Sequence, residues 1–357
     1  MHSDNSVDVT VIIPSHNRSH LVWEAINSCL DQKGLALEIL VVDDASTDST
    51  PQMLKNIGLP EVRVIVLEKN HRSGNYARNI GLSNARGRYI KFLDSDDILE
   101  PGTLLKEYRA AIEHNADMVM SGWGVIDEKK LIIDVPIRTY EPPQPEQVLE
   151  AIMGLRKNPY TAAVLYRHEY ISDMEWDCSL ATIDDFDWFC RTALKGGKLI
   201  AIKELSYWWR VRPGSIITSQ TNTFFDRVKQ KDRLYNTIER LLVERGQLTD
   251  KSKDLLAQQY YMGLRAFGRF NFSKFQQILS HILELSPGFR PTVRSEYNPL
   301  IRFAFRMFGI KATLLLYVFI RRGMDIFHPR HGEFSYFDKA GTKGVLLNSE
   351  NPKRPAL

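Results

Sequence analysis

The chain has 357 residues, 43% apolar and 25% charged, the composition of an ordinary soluble globular protein with room for one large domain or one domain plus an appendage. Its net charge of +4 is drawn so evenly from 47 Lys and Arg and 43 Asp and Glu that nucleic acid is not an expected partner. Cys29, Cys178 and Cys190 are odd in number and far apart, which excludes a disulfide framework or a C-x-x-C metal site and points to a reducing compartment.

The opening residues, MHSDNSVDVTVIIPSHN, carry two early acids and only a short apolar run, unlike a signal peptide, so a cytoplasmic location is expected. Residues 9–14 (VTVIIP) read as a buried strand with a sharp exit, followed by a polar loop over 15–19. The spacing of Leu21, Val22, Ile26 and Leu30 predicts an amphipathic helix within 20–31. Residues 38–42 (EILVV) form a second strand that runs into Asp43 and Asp44, and Ser46, Thr47 or Asp48 then offer caps for a helix to about Asn56. A third strand over 62–67, a helix over 74–85 and a fourth strand beginning at Tyr89 complete a βαβ rhythm. The fourth strand ends abruptly in Asp94, Asp96 and Asp97. Strand ends of such units gather on one edge of a parallel sheet, where open α/β sheets bind ligands.

A helix to about Asn115 and a strand over 117–121 follow, then a Pro-rich loop at 140–146, a helix-like stretch at 147–154 and an ordered run at 161–166. Asp184, Asp185 and Asp187 precede Trp188, Phe189 and Arg191 at the start of a predicted helix, whose positive end favours carboxylates. Residues 199–209 read as a strand leading into the basic loop RVRPGS at 210–215. Beyond a boundary near 216 the pattern turns helical, clearest over 224–245 and 252–272. The segment 298–330 interleaves apolar runs with Arg302, Arg306, Lys311, Arg321, Arg322 and Arg330, which suits the headgroup layer of an anionic membrane or two packed helices with snorkelling arginines. Residues 331–357 form a polar tail.

Carboxylates concentrated at strand ends need compensating positive charge, and hard oxygen donors suit Mg2+ or Mn2+ carrying a phosphate-bearing ligand. No G-x-x-x-x-G-K-[ST] occurs and no G-x-G-x-x-G follows the first strand, so neither an ATPase phosphate loop nor a dinucleotide fold is indicated. The bland alternatives are an Asp-rich turn for the acidic loop and packing for Trp208 and Trp209, which otherwise serve as sugar-stacking surfaces. His16 and His71 have no partner spacing for a metal site.

The ordered segments VTVIIPSHNR (9–18), EILVVDDASTDST (38–50), ARNIGLSNARGRYIKFLDSDD (77–97), DDFDWFCR (184–191) and WWRVRPGSI (208–216) resemble family 2 glycosyltransferases, an inverting group with the GT-A fold. The resemblance covers roughly residues 7–216 and implies an α/β fold with a mostly parallel central sheet flanked by helices, here a 1–216 catalytic domain followed by a helical C-terminal region over 217–330. It implies a nucleotide-diphospho-sugar donor, a UDP-sugar first among these, bound by Pro14, Ser15, Asn17, Asp43, Asp44, Arg78, Asp94 and Ser95. Asp96 and Asp94 match the metal pair for Mn2+ or Mg2+, Asp96 as direct ligand and Asp94 on ribose or a metal-bound water. Asp97 orients the acceptor or caps the next helix, and Arg78 makes an internal salt bridge or a ligand contact. Asp185 matches the catalytic base, Asp184 stands where Glu is usual, and Arg210 and Arg212 lie in the loop that covers the diphosphate, Arg212 where His is frequent.

The function so implied is transfer of a sugar to an acceptor hydroxyl, for surface polysaccharide or glycoconjugate synthesis. The acceptor is a saccharide or lipid-linked saccharide, with peripheral attachment to the inner membrane face and an oligomer through the C-terminal helices as open alternatives. The rival readings are a nucleotidyltransferase, which would want a Gly- and Lys/Arg-rich loop where PSHNR stands, and a non-catalytic nucleotide-binding scaffold.

Overall fold

Short runs in which almost every side chain is apolar cannot remain at a surface, and they set the centre of the molecule. The computed structural model describes residues 7–134, 161–180, 183–211, 224–291, 307–309 and 311–316. Val9–Ser15 (β1), Leu37–Asp43 (β2), Val62–Val66 (β3) and Tyr89–Phe92 (β4) alternate with helices Val22–Leu30 (α1), Thr50–Lys55 (α2) and Gly74–Asn84 (α3). The four strands pair in parallel, with Ser15 opposite Asp43, Asp43 opposite Val66 and Ile12 opposite Phe92, so their C-terminal ends share one edge. β1 extends through Pro14, which the sequence reading places at the strand's exit. The ladder between β1 and β4 ends at Ile12, so the missing N–H of Pro14 interrupts no bond there. The β1–α3 layer is tight: a Cβ on Gly81 would lie 2.3 Å from Cγ2 of Ile12.

Beyond β4 the chain adds Ile98–Leu99 (β5), Thr103–Glu113 (α4), Met118–Ile126 (β6), Ile132–Asp134 (β7), Val164–Arg167 (β8), His168–Ile171 (α5), Asp184–Leu194 (α6) and Leu199–Arg210 (β9). The nine-stranded sheet runs β3-β2-β1-β4-β8-β6-β9-β5, with β7 paired to β6. The parallel part predicted from the βαβ rhythm is its first half. The second half is mixed, because β8 is antiparallel to both β4 and β6, and β5 to β9, while β6 and β9 are parallel.

Between the sheet and α4 lies a buried ionic cluster. Lys91 of β4 donates from Nζ to both carboxylate oxygens of Glu107 at 2.8 Å and to Ser206 Oγ at 2.7 Å, while Ser121 Oγ donates to Glu107 at 2.7 Å. Neither charged side chain is exposed to solvent.

The chain divides into two compact units, 1–256 and 257–357. The first includes the helix Phe224–Glu244 (α7). The helix Asp250–Phe270 (α8) is followed by a separate helix, Phe272–Leu285 (α9), where the sequence pattern predicts one continuous helix to 272. Asn271 causes the break: its backbone is extended and its side chain accepts from the Lys274 N–H at 3.0 Å, capping α9. Tyr260 of α8 meets His281 of α9 edge-on, with ring centroids 5.2 Å apart. Several expectations lie outside the described residues: the boundary at 216, Arg212, the loop at 140–146, the helix at 147–154, the tail at 331–357 and most of segment 298–330. Among the described residues no helix is long and apolar enough to cross a membrane.

Candidate active site

The shared edge of β1, β2 and β4 is assembled from loops that bind one another before any ligand is considered. Asn17, at φ 52°, ties the first loop to the second. Its backbone N–H donates to Ser46 Oγ at 2.8 Å, and its Oδ1 accepts from the Thr47 and Asp48 N–H groups at 2.8 and 3.3 Å. Asp43 is buried and accepts from the Ser46 N–H at 3.0 Å, which holds the turn after β2. The helix caps foreseen at Ser46 and Thr47 are not used: α2 starts at Thr50, whose N–H donates to Asp48 Oδ1 at 2.9 Å. Pro14 and Ser15 are both buried at the end of β1, and the Ser15 hydroxyl has no hydrogen-bond partner among the described residues.

Asp44 is buried to 4% exposure, and its carboxylate faces His71 from the loop after β3. The His71 N–H donates to both carboxylate oxygens at 3.0 and 3.1 Å, and Nδ1 lies 2.9 Å from Oδ1. His71 also stacks on Tyr76 at a centroid distance of 3.6 Å. His16 lies with Nδ1 3.0 Å from the Asp44 carbonyl and Nε2 2.9 Å from Asn70 Nδ2. Both histidines thus pack around Asp44, His71 on its carboxylate and His16 on its carbonyl. Their part in framing Asp44 was not legible, because the contact spans 27 residues and carries no motif.

The acidic loop after β4 and the acidic start of α6 meet across one guanidinium. Arg78, on α3, donates to Asp94 Oδ1 at 2.7 Å, to Asp184 Oδ2 at 3.2 Å and to Asn75 Oδ1 at 2.7 Å, and its guanidinium lies 4.7 Å from the Trp176 ring centroid. Arg78 thus makes internal salt bridges to both acidic segments. Burial alone would depress its pKa, but the charges of Asp94, Asp184 and Asp185 outweigh burial and push it up. Asp184 is raised by burial, with Arg78 opposing and Asp94 adding. Asp185, half-buried beside it, is pushed up to about 7 by burial and by the Asp184 charge, against Arg78.

Ser95 and Asp97 are buried within the loop, whereas Asp94 and Asp96 are partly exposed. Burial and the neighbouring charges of Asp96 and Asp94 hold Asp97 well above the usual carboxylate range. Asp97 does not cap α4, which has Gly102 at its N-cap. It accepts instead from the Arg210 N–H at 2.9 Å. The Arg210 side chain, 2% exposed, donates to the Asp96 carbonyl at 2.8 Å and to Glu24 of α1 at 2.6 Å. Arg210 thus brackets the acidic loop from below. Glu24 was not singled out from the sequence, where it reads only as a first-turn acid of a helix.

Trp188 is fully buried, stacked on Trp176 at 4.5 Å and edge-on to Phe92, so it anchors α6 against β4. Arg191 pairs with Asp187 at 2.6 Å. Trp208 packs over Gly124 and donates to Glu100 at 2.6 Å, and Trp209 meets Trp123 edge-on, so both make packing contacts.

The donor chemistry of the acidic loop fits Mg2+ or Mn2+: oxygen ligands only, two carboxylates one residue apart, and carboxyls at Asp97, Asp184 and Asp185 raised by burial first and by neighbouring negative charge second. Among the described residues no three acidic, His or Cys side chains converge on one point.

The profile of Glycosyl transferase family 2 matches residues 10–174. The succinoglycan biosynthesis protein ExoO of Rhizobium meliloti is 38% identical over 123 residues, 34% of this chain and 35% of that protein. The putative teichuronic acid biosynthesis glycosyltransferase TuaG of Bacillus subtilis is 33% identical over 127 residues, 35% of this chain and 50% of that protein. The chain thus spans between a third and a half of these relatives. The crystal structure of S. aureus TarS 1-349 in complex with UDP-GlcNAc is similar in fold, with a TM-score of 0.64 at 20% identity over 91% of this chain and 93% of that one. Residues 10–174, which include the acidic strand ends on one sheet edge, thus carry the likeness to glycosyl transferase family 2.

Proposed function

We propose that the chain is an inverting, metal-dependent glycosyltransferase that moves a sugar from a UDP-sugar to a hydroxyl of a saccharide or lipid-linked saccharide in polysaccharide synthesis. The observation that carries this reading is Arg78, which joins Asp94 of the acidic loop to Asp184 and so sets Asp185 beside the loop that would hold the diphosphate. Asp185 accepts the proton of the acceptor hydroxyl as that oxygen attacks the anomeric carbon from the face opposite the leaving diphosphate, and a base titrating near neutral pH suits this role. Mn2+ or Mg2+, held by Asp96 with Asp94, would supply charge stabilisation to the leaving diphosphate. Arg210 positions the acidic loop through Asp96 and Glu24, and Arg212 is the remaining candidate for direct contact with the diphosphate. The biosynthetic roles that give ExoO and TuaG their names support a polysaccharide product, and the UDP-GlcNAc complex of TarS supports a uridine donor. The basic segment 298–330 suits an acceptor presented at an anionic membrane surface.

Slow donor hydrolysis across a panel of UDP-, GDP- and dTDP-sugars with Mn2+ tests the reading. Release of UDP from at least one UDP-sugar is expected, and no release from any donor overturns it. Asp96→Asn is expected to abolish the Mn2+-dependent part of UDP binding. Undiminished affinity by calorimetry would move the metal away from Asp96.

A further inference from the structure

We propose that His71 sets the base selectivity of the donor site by occupying one oxygen of Asp44, so that the other oxygen takes a single ring N–H, that of uracil or thymine. The proposal rests on the reading of Asp44 as the nucleoside-binding acid.

An ionised carboxylate accepts at two oxygens, with about four lone-pair positions between them. Because it only accepts, the His71 Nδ1 at 2.9 Å from Oδ1 must carry the proton. Oδ1 therefore receives two donors, this ring N–H and the His71 backbone N–H at 3.0 Å. Among the described residues, Oδ2 receives only the second arm of that backbone N–H, at 3.1 Å. The two oxygens are unequal, and Oδ2 keeps capacity for one more donor.

The surroundings preserve this inequality. The Asp44 N–H donates to the Ser15 carbonyl at 2.8 Å, and the next residue, Ala45, takes φ 52°, which fixes the acid at the end of β2. The His71 ring lies within 12° of parallel to Tyr76. The His16–Asn70 pair holds the Asp44 carbonyl from the other side. A carboxylate held this way cannot turn to offer both oxygens equally.

Nucleobases differ in what they present to such an acceptor. Uracil and thymine offer one imide N–H. Guanine offers two adjacent donors, N1–H and the 2-amino group, and needs both oxygens side by side. Cytosine and adenine place a bare ring nitrogen next to their amino group, and that lone pair faces the carboxylate. One filled oxygen and one open oxygen thus favour a pyrimidine-2,4-dione and penalise guanine. His71 acts through Asp44 and is a positioning residue.

Calorimetry with UDP, GDP and CDP in Mn2+ separates the outcomes, using the full chain, His71→Phe and His71→Asn. Phe keeps a ring on Tyr76 and removes the Nδ1 donor, whereas Asn returns an N–H donor at nearly the same place. The wild type is expected to prefer UDP. His71→Phe is expected to lower the UDP:GDP affinity ratio by roughly tenfold, the effect of one hydrogen bond to a charged group, and His71→Asn to keep it. If His71→Phe fails to fold by circular dichroism, His71→Ala gives the same comparison. A uniform loss for all three diphosphates, with the ratio unchanged, overturns the proposal in favour of a purely structural His71. A wild type that prefers GDP overturns it while leaving the transferase reading intact. A folded wild type that binds none of the three overturns both.

Discussion

Replacing Asp185 by Asn is expected to lower sugar transfer by roughly 10²- to 10⁴-fold, the range for loss of a positioned general base, while UDP binding is retained. The argument rests on where Asp185 sits. It occupies the first turn of α6, half-buried, next to Asp184 and across Arg78 from Asp94. Burial, then the Asp184 charge, push it up to about 7 against the pull of Arg78. The base works only when ionised, so the wild-type rate should rise with pH along a limb near 7 that the variant lacks. The linkage to stability has the opposite sense. A carboxyl whose folded value lies above its ordinary value of about 4 contributes stability that is full below about pH 4 and lost as pH rises through about 7. Asn carries no such charge, so the Tm of Asp185→Asn should gain on the wild type between pH 4 and pH 8. A folded variant with full turnover would assign the base elsewhere. A Tm difference that does not change with pH would remove the raised carboxyl.

The parallel half of the sheet and its acidic edge were legible because both write themselves locally. β1 and β2 are buried along their whole described length except at Leu37, so they appear as β-branched runs, and Asp43 and Asp94 follow directly on apolar residues, with Asp44 and Asp96 one and two residues behind them. What the sequence hid depends on contacts between distant residues. The strand direction of β8 is set by pairing with β4 and β6, and no period in its own residues distinguishes parallel from antiparallel. His71 reaches Asp44, and Arg210 reaches Glu24 across 186 residues, without any motif to announce either pair. The basic residues nearest the acids turned out to be committed to protein partners. Arg78 bridges two carboxylates and Arg210 lies beneath the loop.

Lys91 is the residue whose removal is expected to have the largest effect on stability. Within YIKF of β4 it is the one charged residue of a buried strand, and its side chain is wholly enclosed. Burial depresses its pKa, and the adjacent Glu107 charge opposes that depression, so the ammonium depends on its partner. Lys91→Met removes three hydrogen bonds from Nζ and leaves the Glu107 carboxylate facing only the hydroxyls of Ser121 and Ser206. Breaking a buried pair from one side costs about 3–5 kcal/mol, read as a lower urea midpoint at unchanged m-value. Replacing both partners, as Lys91→Met with Glu107→Leu, takes the unpaired charge away and should recover most of that loss, because an apolar pair of similar volume is often neutral or better. The two serines keep this recovery incomplete, since their hydroxyls lose the carboxylate they serve. A single variant that loses less than about 1 kcal/mol, or a double variant no more stable than the single, would mean the pair is not ionised in the folded protein. The position matters for function because Lys91 stands on β4 three residues before Asp94 of the loop that follows it, and ties β4 to α4 and β9. The double variant should therefore restore nucleotide binding along with the fold, which separates a loss of scaffold from a loss of the site.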